Sequence, residues 1–391
     1  MGAGEKGAGL DRARGGRLSK RDTFRVAVLA GDGIGPEVMN CALSILDSIV
    51  SAAGSFDLEY VHLAAGAGHY AETGVAIPDD ALDQARTSDA ILLGAMGLPH
   101  IRYEDGTEIS PQLELRETLN LYAGVRPIRT IAGLPLPLSD PRASSLDVVL
   151  VRESTEGLFK SRGHCQIEGD AVARDTLEIT RATSERLFDF AFELARSRKG
   201  ERGGCQVTCV DKANVLGSFA FFRKIFDERA RAFSDVEAKH AYVDATALTL
   251  VKQPWVFDVL VTENMFGDIL SDIGAGLMGG MGFAPSADIG ADHAVFQPCH
   301  GSAPDIAGQG LANPVAMILS AAMMLEWLGD RHGNPESRRA AVAIRDAVDA
   351  AFAHGKLLPY ELGGDAGTHQ IGEAVLAALP TRLDAHDGVS K

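Results

Sequence analysis

Phe24-Arg-Val-Ala-Val-Leu-Ala-Gly-Asp-Gly-Ile-Gly-Pro36 is the stretch on which the fold turns. Its first seven residues, apolar but for Arg25, read as a buried strand closed by glycines. Pro36 then suits the first turn of a helix, and Val38, Leu43, Leu46 and Val50 give that helix an apolar face. Three glycines at 31, 33 and 35 invite a dinucleotide fingerprint. G-x-G-x-x-G needs glycine at 36, however, and Pro36 stands there, so a true Rossmann half is rejected. A glycine-rich turn between strand and helix accounts for the residues equally well.

Outward from this unit, further strands are predicted over 58–63, 90–93, 148–151, 206–210 and 257–261. Helices are predicted over 79–87, 184–196, 215–228, 313–328 and 336–353. The segment 133–142, with Pro135, Pro137 and Pro141, reads as a loop or exposed crossover. Strands alternating with helices imply an α/β fold whose sheet is mostly parallel and covered on both faces. A chain of 391 residues predicts two domains.

A net charge of −16 and a pI near 5.1 argue against nucleic acid or an anionic membrane as partner. The longest apolar stretch, Met317 to Leu328, is broken by Ser320 and Glu326, so no transmembrane span is expected. With 46% hydrophobic residues the body can fold, whereas residues 1–21, rich in Gly, Arg and Lys, read as a disordered extension without a signal-peptide core. Five cysteines are too few and scattered for a disulfide framework. Cys205 and Cys209 fall on one predicted strand and lack the other half of a zinc set, which favours core packing. A reducing compartment, most simply the cytoplasm, is expected.

Two features carry chemistry. Asp268 and Asp272, in Asn264-Met-Phe-Gly-Asp-Ile-Leu-Ser-Asp272, lie one helical turn apart on one face. Like charges there call for a cation, for instance a hard divalent ion, although a solvated acidic face is the ordinary explanation of such a pair. The apolar, glycine-rich surroundings of 273–283 weigh against solvation. Asp244, a short acid in an apolar setting, is a further candidate ligand. The second feature is arginine: Arg116, Arg126 and Arg152 all have apolar neighbours. Each alone could be structural. Together they suit a di- or tricarboxylate, since guanidinium pairs bidentately with carboxylate. Lys212 follows a predicted strand at its carboxyl end, where open α/β sheets place ligands.

These motifs resemble the β-decarboxylating dehydrogenases, the family of isopropylmalate, isocitrate, homoisocitrate and tartrate/D-malate dehydrogenases. Matching segments are Leu29 to Val38, Leu115-Arg116, Arg126-Pro127, Val151-Arg-Glu153, Val210 to Val215 and Tyr242 to Ala245. They continue through Asn264 to Asp272, His300 to Gly308 and Ala312-Asn-Pro314. In family order they cover about 24–380.

The resemblance implies an isopropylmalate dehydrogenase-like two-domain fold with a non-Rossmann nucleotide site. Residues 22–121 and 279–382 would form a discontinuous outer domain. Residues 122–278 would form an inner domain carrying the interface of an obligate homodimer. Lys212 and Asp244 would enter the partner subunit's cleft, joining Arg116, Arg126, Arg152, Asp268 and Asp272. Mg²⁺ or Mn²⁺ would be held by Asp244, Asp268 and Asp272. The nucleotide would lie against His300, Gly301, Ser302, Ala303, Pro304, Asp305 and Asn313, with Asn214 contributing. In the family an acid after Ala-Pro accepts from the ribose hydroxyls of NAD, and NADP enzymes carry Lys and Tyr instead. Asp305-Ile306 therefore implies NAD.

The implied reaction is oxidative decarboxylation of a (2R)-malate derivative, with Lys212 and Asp244 as catalytic groups. Gln112 occupies the position where isopropylmalate enzymes place a leucine against the isopropyl group, so a small or polar C3 substituent is expected, as in tartrate or D-malate. Isocitrate or homoisocitrate is the alternative. A regulatory, non-catalytic subunit would be expected to lose Lys212 or an Asp of the set, and all are kept. The related 4-hydroxythreonine-phosphate dehydrogenases use metal-binding histidines, and His62, His69 and His293 match no such motif. Phe159 stands where the family's proton-delivering Tyr is usual, so Lys212, a water, Tyr122 or Tyr103 would replace it, or the enol would tautomerise in solution, or the reaction would stop at a stage needing no enol protonation.

Overall fold

The computed structural model describes residues 21–202 and 205–383. The extension expected over 1–21 thus lies, but for its last residue, outside the described residues. Strands β1 (Asp22–Gly31), β2 (Phe56–His62), β3 (Ala90–Ala95), β4 (Ala123–Arg129) and β5 (Asp147–Glu153) come first. β6 (Gln166–Glu168) and β7 (Val172–Arg174) form a separate exposed hairpin. β8 (Gln206–Asp211), β9 (Glu237–Tyr242), β10 (Val259–Thr262), β11 (Pro285–Ile289) and β12 (Ala294–Pro298) complete the set.

Ten of them make one sheet in the order β2-β1-β3-β12-β11-β4-β5-β10-β8-β9. The fold is α/β as expected, with a difference in its middle. Both wings are parallel, but β12, β11, β4 and β5 run antiparallel to one another in sequence across the centre. β4 and β11 have no clean apolar run, because Arg126, Arg129, Pro127 and Asp288 interrupt them. Pro127 is tolerated in this inner strand because β11 pairs with only 123–125, so no ladder hydrogen bond on that side is lost.

The opening unit folds as read. β1 is buried from Val26 to Leu29, and the helix Gly35–Ala53 carries proline in its first turn. The glycines serve packing. A Cβ on Gly31 would lie 2.0 Å from Ala95 O, and one on Gly33, at φ +56°, 2.0 Å from Ser302 O. Ile34 N–H donates to Ser302 O at 2.8 Å. Asp32 accepts three backbone N–H groups, those of Ala67, Gly68 and Gly97, each at 2.8 Å. The turn therefore ties the loop after β12 to the ends of β1 and β3.

On the other wing, Phe188 and Phe192 of the helix Arg181–Arg202 meet Phe222 and Phe226 of the helix Gly217–Ala230 with ring centroids 4.6–5.2 Å apart. Cys209 is buried within β8, Cys205 just before the strand packs half-buried against the same core, and all five cysteines are free thiols. Among the described residues no helix is long and apolar enough to cross a membrane.

Candidate active site

A cavity of about 300 Å³ opens where the antiparallel centre of the sheet meets the loop after β12. Arg116, Arg126 and Arg152 all line it, from three different elements: the helix Pro111–Thr118, β4 and β5. Strand register explains the convergence. Gly124 pairs with Arg152 on one side and with Asp288 of β11 on the other, and Arg126 lies two residues along on the same face.

Asp288 organises the arginines from beneath. It is fully buried and accepts from Arg116 Nε at 3.0 Å, Arg126 Nη2 at 3.1 Å, Gln297 Nε2 at 2.8 Å and Ser154 Oγ at 3.2 Å. Gly124 leaves it room, since a Cβ there would stand 2.5 Å from Ser154 Oγ and 3.0 Å from Asp288 Oδ1. Burial alone would push the Asp288 carboxyl up, but the charges of Arg116, Arg126 and Arg152 outweigh it and hold it far below the usual carboxylate range. Arg126 is correspondingly raised by Asp288 despite its own burial.

Arg152 takes a different path. Its Nε donates to Asn264 Oδ1 at 2.9 Å and its Nη1 to Asp268. The side chain crosses the helix Asn264–Met278 at Gly267, where a Cβ would lie 2.6 Å from Arg152 Cγ. Burial, reinforced by Arg116 and Arg126, pulls the Arg152 pKa down to about 10, while Asp268 and Asp288 oppose the fall.

Asp268 and Asp272 are helical and line the cavity on its open side. Burial and the neighbouring Asp268 charge raise the Asp272 pKa, with Arg152 and Arg126 opposing. This pair therefore fits a cation. Asp244 is elsewhere in the chain, exposed on the helix Val243–Lys252, with Lys212 Nζ at 2.5 Å from its Oδ1. Lys212 follows β8 directly, and Asn214 is exposed nearby. None of these three lines the cavity of its own chain, and among the described residues no three His, Cys, Asp or Glu side chains of one chain form a metal set.

His300 and Gly301 line the cavity's other end. Ser302 is buried, and its hydroxyl donates to Gly97 O. Ala303 takes a positive φ of 36°, and Pro304 and Asp305 are exposed. Asn313 is already engaged: its Nδ2 donates to Glu361 Oε1 at 2.6 Å, and its Oδ1 accepts from Val315 N–H. It shapes the loop and the helix start behind it. Phe159 lines the cavity with the Arg152 guanidinium 5.1 Å from its ring centroid. Tyr103 packs edge-on against Tyr70, and Tyr122 lies under Arg186. Neither lines the cavity, so neither candidate stands in for the missing hydroxyl here.

Sequence reasoning missed Asp288, Asn264's anchoring of Arg152, and Gln297. A signal existed for the first. Asp288 is a lone acid between apolar residues, the cue that singled out Asp244.

A sheet of this topology, with arginines converging beside a helical Asp pair, defines a class of dehydrogenase acting on carboxylate-bearing substrates. Residues 25–375 match the isocitrate/isopropylmalate dehydrogenase family, and the chain belongs to it. It is 41% identical to the 3-isopropylmalate/3-methylmalate dehydrogenase of Methanocaldococcus jannaschii, over 90% of this chain and 97% of that one. The homoisocitrate dehydrogenase of the same organism is 39% identical over 93% of this chain and all of its own. Among solved structures, isocitrate dehydrogenase from Methylococcus capsulatus superposes with a TM-score of 0.78 at 36% identity, covering 92% of this chain and 100% of that one. The protein is thus an enzyme, a decarboxylating hydroxyacid dehydrogenase.

Proposed function

We propose that the enzyme oxidatively decarboxylates a (2R)-malate derivative with a small or polar C3 substituent, using NAD and Mg²⁺ or Mn²⁺, as a homodimer with shared sites. The observation carrying the substrate assignment is Gln112. It lines the cavity from the first turn of the helix Pro111–Thr118, and its Oε1 is buried without a hydrogen-bond partner among the described residues. A hydroxyl beside the Gln112 amide could share a hydrogen bond with it once the side chain turns toward the cavity, whereas an isopropyl group offers none.

The shared-site reading is supported by where apolar surface remains. Val215, Leu216, Tyr242, Leu248, Val251 and Ile269 are exposed, next to Lys212, Asp244 and Asp268 in sequence. A partner covering this face would bring its own Lys212–Asp244 pair toward the open side of the Asp268–Asp272 cleft. Residues 22–121 and 279–382 then act as the nucleotide-binding side, and 122–278 as the dimer side.

The side chains divide the work. Arg116, Arg126 and Arg152 hold the substrate carboxylates, Asp288 keeping the first two aligned. The partner's Lys212, oriented and charge-balanced by the partner's Asp244, takes the C2 hydroxyl proton as the C2 hydride leaves. His300 and Gly301, which line the cavity, would help hold NAD, which would supply the hydride acceptor. Asp268 and Asp272, with the partner's Asp244, would hold a divalent ion, which when bound would supply Lewis-acid chemistry to the substrate. Asp305, exposed and acidic, favours the ribose hydroxyls of NAD over a 2′-phosphate.

Two measurements bear on this reading. With NAD, kcat/KM for tartrate or D-malate should match or exceed that for isopropylmalate. Isopropylmalate leading every polar analogue by more than about tenfold, the scale a few buried methyls supply, would overturn the assignment. The second concerns the enol. Phe159 has no proton to give, so protonation at C3 should be partly rate-limiting, with a solvent deuterium effect larger than the effect of deuterium at C2. Phe159→Tyr should raise kcat, within the ~10²–10⁴-fold that general-acid assistance supplies, or shift that isotope pattern. Lower activity with a solvent effect near unity would make Phe159 a packing residue.

A further inference from the structure

We propose that Asp288 sets how many carboxylates the site accepts, acting as the fixed counter-charge that makes it selective for dianions over trianions. The inference rests on the arginine cluster's role in substrate binding given above, and extends it to a residue that need not touch substrate.

The geometry is specific. Asp288 is fully buried in β11 and bonded at once to two of the three arginines that line the cavity. It stays ionised, because the three guanidiniums outweigh the effect of burial. Charge balance in the cavity follows. Three guanidiniums face three carboxylates, Asp288, Asp268 and Asp272, and a Lys212–Asp244 pair entering from the partner adds no net charge. At most the two charges of a divalent ion then remain to meet a substrate, with Glu108 at the mouth opposing them, so no more than two carboxylates are balanced. A third carboxylate would be unbalanced in a partly enclosed space, where a like-charge mismatch is a strong discriminator. Glu108, exposed at the cavity mouth, adds to that repulsion.

Asp288 also takes up donors that a third carboxylate would need. Arg116 Nε, Arg126 Nη2 and Gln297 Nε2 all point down to it. The remaining bonds of Arg126 go to Val125 O and Ala287 O, fixing the guanidinium plane. Asp288 is therefore a positioning and charge-setting residue.

Asp288→Asn keeps the side chain's size and one acceptor but removes the charge. Calorimetric titration with malate and with isocitrate, in Mg²⁺ and without nucleotide, reads binding apart from turnover. Wild type should bind malate the tighter. In the variant the isocitrate-to-malate affinity ratio should rise at least tenfold, mainly by gain of isocitrate. With NAD present, the corresponding kcat/KM ratio should move the same way through KM. If Asp288→Asn does not fold to a dimer, Asp288→Ser, smaller and also uncharged, serves in its place. An unchanged ratio in a folded variant, or wild type binding isocitrate as tightly as malate, overturns the proposal. Wild type failing to turn over any malate analogue while the calorimetric shift persists would overturn the proposed reaction and leave this inference standing.

Discussion

Asp268→Ala and Asp272→Ala are each expected to lower kcat by at least ~10³-fold while leaving a folded dimer. Changes merely adjacent to a metal ligand already cost about 10–100-fold, and these carboxylates are assigned as ligands themselves. For Asp272→Ala stability should not fall with activity. The two acids repel across one helical turn, and the raised Asp272 pKa records that strain together with burial. Asp272→Ala relieves it without other loss, whereas Asp268→Ala also takes the acceptor from the buried Arg152 and should lose some stability while still folding. Circular dichroism melts and native mass spectrometry would check the fold, and steady-state rates the activity. Full turnover after exhaustive chelation would be incompatible with the assignment.

Lys212→Ala should be nearly as damaging, by ~10²–10⁴-fold, since it removes the base for the C2 hydroxyl. Its more informative use is in a mixture. If Lys212 serves the partner's cleft, subunits carrying Lys212→Ala and subunits carrying Asp268→Ala complement each other. A mixed dimer has one site with both residues intact and one with neither. After random exchange of equal amounts, about one quarter of wild-type activity should return, from half the dimers working at one site each. No recovery once exchange is confirmed would place Lys212 in its own chain's cleft. That outcome would be hard to square with the position of the Lys212–Asp244 pair, which does not line the cavity of its own chain.

What could be read from the sequence followed local pattern. β1, β3, β5, β8 and β10 are short apolar runs between turn signals, and each was legible to within a few residues. The Asp268–Asp272 spacing needed only the helical period, and Arg152 stood out at the end of an apolar strand. β4, β11 and β12 were not legible as strands. β4 carries Arg126 on the face turned to the cavity, so the alternation that marks a strand is replaced by functional residues. Asp288 illustrates the same limit. Its partners Arg116 and Arg126 are 172 and 162 residues away, and only the antiparallel pairing of β4 with β11 brings them together. Gln112 was legible as a departure from the family's apolar residue, but that its oxygen has no partner among the described residues depends on how the helix packs.

The position of β11 and β12 has a consequence for how the chain comes to be assembled. They sit between β3 and β4, and those two strands do not pair with each other. During synthesis, which delivers the N-terminal portion first, β1–β3 and the strands from β4 to β10 emerge as two separate half-sheets with facing unpaired edges. The nascent polypeptide can join them only when the segment carrying β11 and β12 leaves the ribosome. That same segment brings Asp288, so Arg116 and Arg126 emerge without their shared counter-ion, and the binding site is completed in the step that closes the sheet.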